Sequence, residues 1–355
     1  MKTALPITKL QELPRKLGFS MPAEWEMHKA TWLSWPHNEE TWPGTRLQKV
    51  EETYLQMLEA LLPHEIVHLL VHDEKEEAYT RQLLKERGVE TENFHPHRVP
   101  TVDTWIRDYG PTFLKTSQGK KSWCKWIFNA WGGKYPSLAE DTQVFTKHKD
   151  LIGNPYFDAG FILEGGSIEV NGQGICLTTE QCLLNPNRNS HFSCSDIETK
   201  LRDYLGVSEI IWIKEGIAGD DTDGHIDDII RFVNPDTLVS AFEENSSDEN
   251  YPILKENWKR LERAAKENGR NWNLVKLPMP GKVMSEDRDR LPASYANFYI
   301  ANETVLLPIY GHQNDERAEK ILRELFPGRA VVPIECTDLV YGLGSIHCVT
   351  QQEPR

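Results

Sequence analysis

The residue types best suited to chemistry in this sequence are a cysteine and a histidine, each in a short glycine-containing segment. Cys348 lies in YGLGSIHCVT (residues 341–350), and His225 lies in GDDTDGHIDD (residues 219–228), two positions before Asp227. A nucleophilic thiol needs a lowered pKa, partial exposure and a positive or proton-accepting neighbour. A histidine beside a carboxylate can move protons near neutral pH. The two segments therefore predict a thiol nucleophile served by a histidine acid and base.

Three carboxylates accompany this pair. Asp108 lies in DTWIRDYGP and Glu164 in LEGGS, while alternation along a strand would place Asp227 on the same face as His225. Buried like charges repel, so several acids in one pocket are justified only by a cationic ligand with several donors. A guanidinium group fits because it is planar, always charged and offers five N–H donors in a fork. The cluster predicts a site for a guanidinium group.

Each residue alone also has an ordinary interpretation. Glu164 and Asp108 could be loop caps or arginine-paired surface acids. His225 and Asp227 could belong to a solvated acidic loop, or with one more carboxylate could bind a metal ion. A cysteine such as Cys348 is most often a small core residue, and the same interpretation is given to Cys124, Cys176, Cys182, Cys194 and Cys336.

A recurring order of predicted elements would position these segments. IIRFV and TLVSAF are apolar, β-rich runs joined by a turn at residues 234–236, NWKRLERAAKENG has helical spacing, and NLVKLP returns as a strand. About five such strand–strand–helix–strand units of about 70 residues would fill the chain. Residues 166–170 (GSIEV) echo residues 344–347 (GSIH), and both are predicted to begin a hairpin. The order recurs in SIEV, GICLT, IETKLRDYLG and EIIWI, in NFYI, VLLPIY, ERAEKILRELFPG and AVVPIE, and in part in RLQKVEETYLQMLEALLP and EIVHLLV.

Equivalent loops of such repeats would converge at one end of a central axis, and this convergence would bring the chemical residues together. An ordinary α/β sheet whose helices and strands merely alternate is the alternative. No proline-, glycine- or serine-rich linker divides the chain. The prediction is one catalytic domain over residues 1–355.

Composition narrows the functional classes. The net charge is −14 over 355 residues, which argues against nucleic acid or an anionic membrane surface as partner and suits a cationic substrate. No window approaches the length of a membrane span. Pro6 and Lys9 interrupt MKTALPITKL, so no signal peptide is predicted. Six cysteines without C-x-x-C spacing indicate free thiols in a reducing compartment. The expected location is the cytoplasm.

The sequence resembles the agmatine deiminase family, which also contains the bacterial peptidylarginine deiminases. The resemblance covers nearly the whole chain. It implies the five-fold pseudosymmetric α/β-propeller, or pentein, of guanidine-modifying enzymes, and no metal or organic cofactor. The motifs that carry it are MPAEWEMHKATWLSWP, TWIRDYGP, FNAWGGKY, LEGGS, TDGHIDD, LPASYANFYI and GSIHCVTQQ.

The resemblance also implies a role for each matching residue. Trp105 would form an aromatic wall along the aliphatic part of the substrate, and Asp221 lies near enough to contact the substrate without a firm task. The reaction implied is hydrolysis of agmatine to N-carbamoylputrescine and ammonia through a covalent thiouronium. The other roles are Cys348 as nucleophile, His225 as acid and base, Glu164 as the acid beside it, and Asp108 and Asp227 as the carboxylates that grip the guanidinium nitrogens.

The substrate remains open at this point. FNAWGGKY contains one base, Lys134, and no arginine to hold a substrate carboxylate, which favours agmatine. Dedicated agmatine enzymes of the family usually carry Asn where Asp223 and Ser345 stand, which favours a peptidylarginine or free-arginine deiminase that makes citrulline. Transfer of the amidino group to an amine, and a catalytically silent propeller that binds polyamines or arginine, are further alternatives. Exposed apolar residues on the helices would suit a homodimer.

Overall fold

The computed structural model describes residues 7–355. The start of the segment in which no signal peptide is predicted, residues 1–6, lies outside the described residues. The described helices include long amphipathic ones and single turns: α1 (Arg46–Leu61), α2 (Glu74–Glu86), α3 (Ile106–Tyr109), α4 (Ala130–Gly133), α5 (Val144–Lys147), α6 (Glu180–Leu183), α7 (Pro186–Asn189), α8 (Cys194–Leu205), α9 (Asn250–Lys266) and α10 (Asp315–Leu325).

The strands of residues 7–355 form five separate sheets, ordered β1-β5-β6-β7, β10-β9-β8, β11-β12-β13, β14-β15-β16 and β17-β2-β3-β4. Their bounds are β1 (Phe19–Ser20), β2 (His28–Ser34), β3 (Ile66–Val71), β4 (Phe94–Arg98), β5 (Thr112–Thr116), β6 (Lys121–Ile127), β7 (Tyr156–Ile162), β8 (Glu169–Val170), β9 (Ile175–Thr179), β10 (Glu209–Ile213), β11 (Ile230–Asn234), β12 (Thr237–Phe242), β13 (Asn273–Pro278), β14 (Tyr299–Ile300), β15 (Thr304–Ile309), β16 (Ala330–Glu335) and β17 (Gln351–Pro354).

Each sheet contains an antiparallel pair followed by a parallel pair. In the third sheet β11 and β12 are antiparallel, and α9 then carries the chain to β13, which runs parallel to β12. The same order holds for β8, β9, α8 and β10, and for β14, β15, α10 and β16. The central strands β12 and β15 are buried on both faces, as their nearly continuous apolar runs require. The predicted strand–strand–helix–strand order is therefore present in these sheets.

One predicted hairpin is wrong. The segment after Gly344 leads to β17, whose antiparallel partner is β2, with Gln351 opposite Trp32. Because β2 supplies the backbone partners, β17 needs no local hairpin strand. The result is that Cys348, just before β17, is held by a sheet that joins distant parts of the chain.

The helices pack one apolar face on the sheets. In α9 the buried residues Leu254, Asn257, Leu261 and Ala264 recur every three or four positions and so lie on one face. Asp248 accepts a hydrogen bond from the backbone N–H of Asn250 at 2.9 Å at the start of this helix. Such packing leaves the loops that precede each antiparallel pair free to carry polar residues.

Two predictions about compartment and thiols can be compared with residues 7–355. Within this range no helix is long and apolar enough to cross a membrane. All six cysteines lie in this range and are free thiols. The assignment of Cys194 to the core is wrong, because Cys194 is exposed at the first turn of α8. The other four cysteines that were assigned to the core are buried as predicted, namely Cys124, Cys176, Cys182 and Cys336.

Candidate active site

The predicted chemical segments lie together although they are far apart in sequence. Each occupies a short helical turn just before a strand, namely α3 before β5, Gly165–Ser167 before β8, Ile226–Asp228 before β11 and His347–Val349 before β17. His347–Val349 contacts α3, α3 contacts Gly165–Ser167, and Gly165–Ser167 contacts Ile226–Asp228. The ends of four different sheets thus build one site.

A cavity of about 370 Å³ opens onto this site. Cys348 and Asp108 line it, with the indole rings of Trp105 and Trp131 as apolar walls. The two indoles are in edge contact, with ring centroids 6.4 Å apart. A cavity with aromatic walls that also holds a thiol and a carboxylate suits a ligand with an aliphatic chain and a charged head.

Cys348 lies in the turn His347–Val349 and is 6% exposed. Asn297, from the loop before β14, places its side-chain N–H 3.3 Å from the Cys348 Sγ. Burial, followed by the negative charges of Asp227, Asp228 and Asp108, raises the pKa of the Cys348 thiol well above its usual value. In the unliganded site the thiol is therefore protonated at neutral pH.

His225 lies directly behind Asp108. It precedes the turn Ile226–Asp228, and β11 begins only at Ile230, so the predicted strand alternation of His225 and Asp227 is wrong. Their proximity comes from the turn. The His225 Nδ1 lies 3.8 Å from Asp108 Oδ1, and its Nε2 is buried without a hydrogen-bond partner. Burial lowers the pKa of His225 to about 4 against the opposing effect of Asp227, so the imidazole is neutral.

Gly166 explains how these groups come so close. A Cβ atom at this position would lie 2.6 Å from His225 Nδ1 and 3.0 Å from an oxygen of both Asp108 and Asp227. Any side chain here would displace all three groups. The predicted LEGGS loop therefore contributes a close backbone approach behind the cavity in addition to Glu164.

Asp108 is held by two N–H donors. The Trp131 Nε1–H donates to its Oδ2 at 2.8 Å, and the Gly166 backbone N–H donates to its Oδ1 at 3.0 Å. Burial, with the negative charges of Asp227 and Glu164, raises the pKa of Asp108 well above its ordinary value. A cation in the cavity would offset this repulsion and favour the ionised carboxylate.

Asp227 has the opposite balance of charges. Its Oδ2 lies 2.7 Å from His347 Nδ1, and its Oδ1 is buried without a partner. Burial acts to raise the pKa of Asp227, but the hydrogen bond and charge of His347 outweigh burial and lower it. Asp227 is thus an ionised carboxylate with one free acceptor oxygen.

Glu164 shares this pattern of one bound and one free oxygen. Its Oε1 accepts from Arg188 Nε–H at 3.0 Å, while Oε2 is buried without a partner. Burial raises the pKa of Glu164 despite Arg188. Glu164, His225 and Cys182 each place one metal-ligating atom within 4.8 Å of the others, but the adjacent Arg188 guanidinium opposes a divalent cation there.

Acidic residues line the cavity, and Lys134 beside them is already paired. Lys134 Nζ lies 3.1 Å from Asp221 Oδ1 and 2.9 Å from Asp223 Oδ1. The Tyr135 hydroxyl donates to the other Asp221 oxygen at 2.5 Å. The structure thus places Trp105 and Asp221 on the cavity, and it engages Asp221 with Lys134 and Tyr135.

The predicted residues do not all reach the cavity. Cys348, Asp108, Trp105 and Asp221 line it, whereas His225, Glu164 and Asp227 are not among the lining residues and lie fully buried behind Asp108. This second group carries the unpartnered acceptors.

Sequence reasoning missed several residues that complete the site. Trp131, Asn297 and His347 lie within motifs noted in the sequence, but their partners are distant along the chain and no local pattern marks them. Arg188 lies outside every motif and is recognisable only from its ion pairs with Glu164 and Asp223.

Comparisons with known proteins agree over nearly the whole chain. The family model described as Porphyromonas-type peptidyl-arginine deiminase matches residues 20–354. A protein of Legionella pneumophila (strain Paris) named "Putative agmatine deiminase" is 37% identical over 96% of this chain and 97% of its own length.

Solved structures are similar over the same extent. The agmatine deiminase of Enterococcus faecalis is 31% identical, with a TM-score of 0.90 over 98% of this chain and 99% of that chain. A cysteine-to-serine variant of the C. jejuni agmatine deiminase with bound substrate is 30% identical, with a TM-score of 0.83 over 95% and 96% of the two chains. The chain therefore belongs to the Porphyromonas-type peptidyl-arginine deiminase family and shares the mixed α/β fold of agmatine deiminases.

Proposed function

We propose that this protein hydrolyses the guanidinium group of agmatine to N-carbamoylputrescine and ammonia, with Cys348 as the nucleophile. The observation that carries the proposal is the cavity that reaches the Cys348 thiol and the Asp108 carboxylate together, with two further carboxylates and a histidine behind them. Membership of a deiminase family, whose reaction is hydrolysis of C–N bonds in amidines, supports the same chemistry.

The free acceptor atoms account for binding of the guanidinium. Asp227 Oδ1 and Glu164 Oε2 are buried without partners, and burying such atoms is costly unless a donor reaches them. Two carboxylates can each accept N–H donors from the planar guanidinium fork. Asp108 and Asp227 then orient the group so that its central carbon faces Cys348.

The substrate charge helps to ionise the thiol. In the unliganded site, burial and three aspartates raise the pKa of Cys348. A bound guanidinium cation adds an opposite charge beside the same groups, which favours the thiolate. The neutral His225 accepts the proton that Cys348 loses.

The reaction then proceeds in two halves. The Cys348 thiolate attacks the guanidinium carbon, and the protonated His225 donates its proton to the departing nitrogen, so that ammonia leaves and a covalent thiouronium remains. The neutral His225 next takes a proton from water, and the resulting hydroxide attacks the same carbon. Collapse of the tetrahedral intermediate breaks the C–S bond and expels the Cys348 thiolate, while the new hydroxyl group loses its proton to solvent and becomes the ureido carbonyl. The protonated His225 then returns its proton to the thiolate.

The charges around the cavity support an amine rather than a carboxylate at the far end of the substrate. Glu40 and Asp221 line the cavity, and Lys134 is engaged by Asp221 and Asp223. A carboxylate placed there meets like charges, whereas the amine of agmatine meets opposite ones. The similar structures from E. faecalis and C. jejuni are both described as agmatine deiminases, which supports the same substrate.

A peptidylarginine or free-arginine deiminase is the second candidate. The description of the matching family model favours it, as does Asp223 in place of the asparagine usual in dedicated agmatine enzymes. Asp223 here pairs with Arg188 and Lys134. Local charge balance therefore explains an aspartate in place of the asparagine without a change of substrate.

We further propose that the five sheets form a five-fold pseudosymmetric propeller within one catalytic domain. The loop entering each sheet supplies one group to the site, since Asn297 before β14 completes the set formed by the other four turns. A cytoplasmic location and a homodimer remain predictions.

The test is ammonia release from agmatine, L-arginine and a capped arginine peptide, each with and without iodoacetamide. Release from agmatine that iodoacetamide abolishes is the expected result. Release only from the arginine compounds would transfer the same chemistry to the second candidate. Release that persists after complete alkylation of Cys348 would contradict the proposed nucleophile.

A further inference from the structure

His347, immediately before the nucleophile, is bound on both sides by carboxylates. Its Nδ1 lies 2.7 Å from Asp227 Oδ2, and its Nε2 lies 2.8 Å from Glu24 Oε2. The imidazole is 2% exposed. A carboxylate oxygen without a proton can only accept, so a ring nitrogen facing it at this distance has to carry hydrogen.

Glu24 is held by two arginines as well. It lies 2.7 Å from Arg231 Nη2 and 3.6 Å from Arg107 Nη2. Burial acts to raise the pKa of Glu24, but Arg231, His347 and Arg107 together hold it well below its ordinary value. Each ring nitrogen of His347 thus faces a carboxylate oxygen at hydrogen-bond distance, and both contacts are satisfied when both nitrogens donate.

Contacts of the backbone also fix the place of His347. The His347 backbone N–H donates to Asn297 Oδ1 at 2.9 Å, and the Arg107 Nε–H donates to the His347 carbonyl at 3.2 Å. Glu169, which pairs with Arg231 at 3.0 Å, is the next charge outward. The ring has little freedom to leave the two carboxylates.

We propose that His347 is a positioning residue that donates from both ring nitrogens and holds Asp227 by its Oδ2, so that Oδ1 is left free to accept from a guanidinium N–H. Glu24, in the MPAEWEMHK segment far from the catalytic motifs, anchors the other side of the ring. The function of His347 in turnover rests on the proposed guanidinium hydrolysis. Its two hydrogen bonds do not, because they belong to the resting structure.

The two hydrogen bonds can be measured directly. In ¹⁵N-histidine-labelled protein, the His347 signals, assigned by their loss in His347→Gln, should show a hydrogen-bonded proton on each ring nitrogen. Glu24→Gln replaces one carboxylate acceptor and should weaken the hydrogen bond of Nε2 while leaving that of Nδ1. A ring nitrogen without a hydrogen-bonded proton in the unsubstituted protein would overturn the proposal.

The positioning role is tested by kinetics on agmatine. His347→Gln should lower kcat/KM by about 10²-fold, the cost of a small misplacement of a binding group. The acidic limb of the pH profile should move upward by about 1 to 3 units, because Asp227 loses an adjacent positive charge. If the limb does not move in a folded variant, His347 has only a structural role.

His28→Gln is the matched control. His28 is also buried between polar partners, with Glu24 O at 2.6 Å and Glu65 Oε1 at 3.5 Å, but it contacts no site carboxylate side chain. Its replacement should lower stability without moving the acidic limb, and an equal shift in His28→Gln would overturn the assigned role. If the unsubstituted protein does not release ammonia from agmatine, the proposed function fails while the nitrogen signals still show whether His347 donates from both ring nitrogens.

Discussion

At the scale of single residues, Cys348 is surrounded by acids in the resting site. Asp227, Asp228 and Asp108 all raise its pKa together with burial, which is the reverse of the electropositive surroundings of a permanently activated thiol. A reactive thiolate here depends on a bound cation. The thiol of the empty site should therefore react with uncharged electrophiles more slowly at neutral pH than an ordinary exposed thiol.

Cys348→Ser should abolish ammonia release from agmatine, because a serine hydroxyl cannot be ionised by the nearby cation and no second cysteine lines the described part of the cavity. The fold should be retained, since one sulfur is replaced by a smaller oxygen. Circular dichroism and thermal unfolding check the fold, and an ammonia assay checks activity. Undiminished turnover would remove Cys348 from the mechanism.

Asp228→Asn should shift the alkylation of Cys348 by iodoacetamide to lower pH. Asp228 raises the pKa of this thiol, and its Oδ1 accepts from Asn297 at 2.9 Å, a bond that asparagine can keep. The measurement is the alkylation rate against pH. Asp236→Asn removes an exposed carboxylate elsewhere and should leave the profile unchanged; the same shift in both variants would point to net charge rather than contact.

The same substitution should change stability with pH. Burial and the charges of Asp227 and Asp220 raise the pKa of folded Asp228 well above the ordinary value. A raised folded pKa gives stability that is present at low pH and is lost as pH rises through that folded pKa. Asp228→Asn avoids this loss of folding free energy, which is about 1.4 kcal/mol for each unit by which folding raises the pKa. Its Tm should therefore exceed that of the unsubstituted protein by an amount that grows with pH, and a gap that shrinks would contradict the burial argument.

At the scale of elements, short turns before the strands hold the site. The hairpins and long helices could be predicted because turn residues and 2.0- or 3.6-residue periods are local signals. The relative placement of His225 and Asp227 could not be predicted from strand alternation, because residues 226–228 form a turn where a strand was expected. The partners of these turns, such as Arg188 and Glu24, depend on packing between sheets and leave no local signal.

Gly166→Ala tests how tightly these turns pack. The new Cβ would lie 2.6 Å from His225 Nδ1, so the ring or the turn has to move, and kcat/KM should fall by about 10²-fold. Gly328→Ala is the control, because a Cβ there meets nothing within 4 Å and its backbone is not left-handed. Steady-state kinetics on both variants should separate a local effect from a general one; equal activities would show that the turns adapt freely.

At the scale of the whole molecule, short turns before strands of four sheets meet at one site, and the loop before β14 of the fifth sheet brings Asn297 to Cys348. The sequence repeats and the glycine-containing motifs predicted this convergence and named the principal residues. The depth of the site was not predictable, because it depends on which carboxylates line the cavity and which lie behind Asp108. The net charge of −14 agrees with a cationic ligand. The pairing of Lys134 with Asp221 and Asp223 should add selectivity for an amine over a carboxylate, which composition cannot show.

Agmatine should be preferred over L-arginine by at least about 10²-fold in kcat/KM, because like charges brought together cost several kcal/mol. The arginine carboxylate would meet the acids that line the cavity, with Lys134 already paired to Asp221 and Asp223. Asp221→Asn removes one of these charges and frees Lys134 in part. It should therefore lower the ratio of kcat/KM for agmatine to kcat/KM for L-arginine. An unchanged ratio would place the selectivity elsewhere.

The most direct test of the central claim is the intact mass of the protein quenched with acid during turnover of agmatine, followed by peptide mapping. A covalent thiouronium predicts a mass gain equal to agmatine less ammonia, located on the peptide that contains Cys348 and absent from Cys348→Ser. Ammonia release accompanied by the same adduct on another residue would contradict Cys348 as the nucleophile.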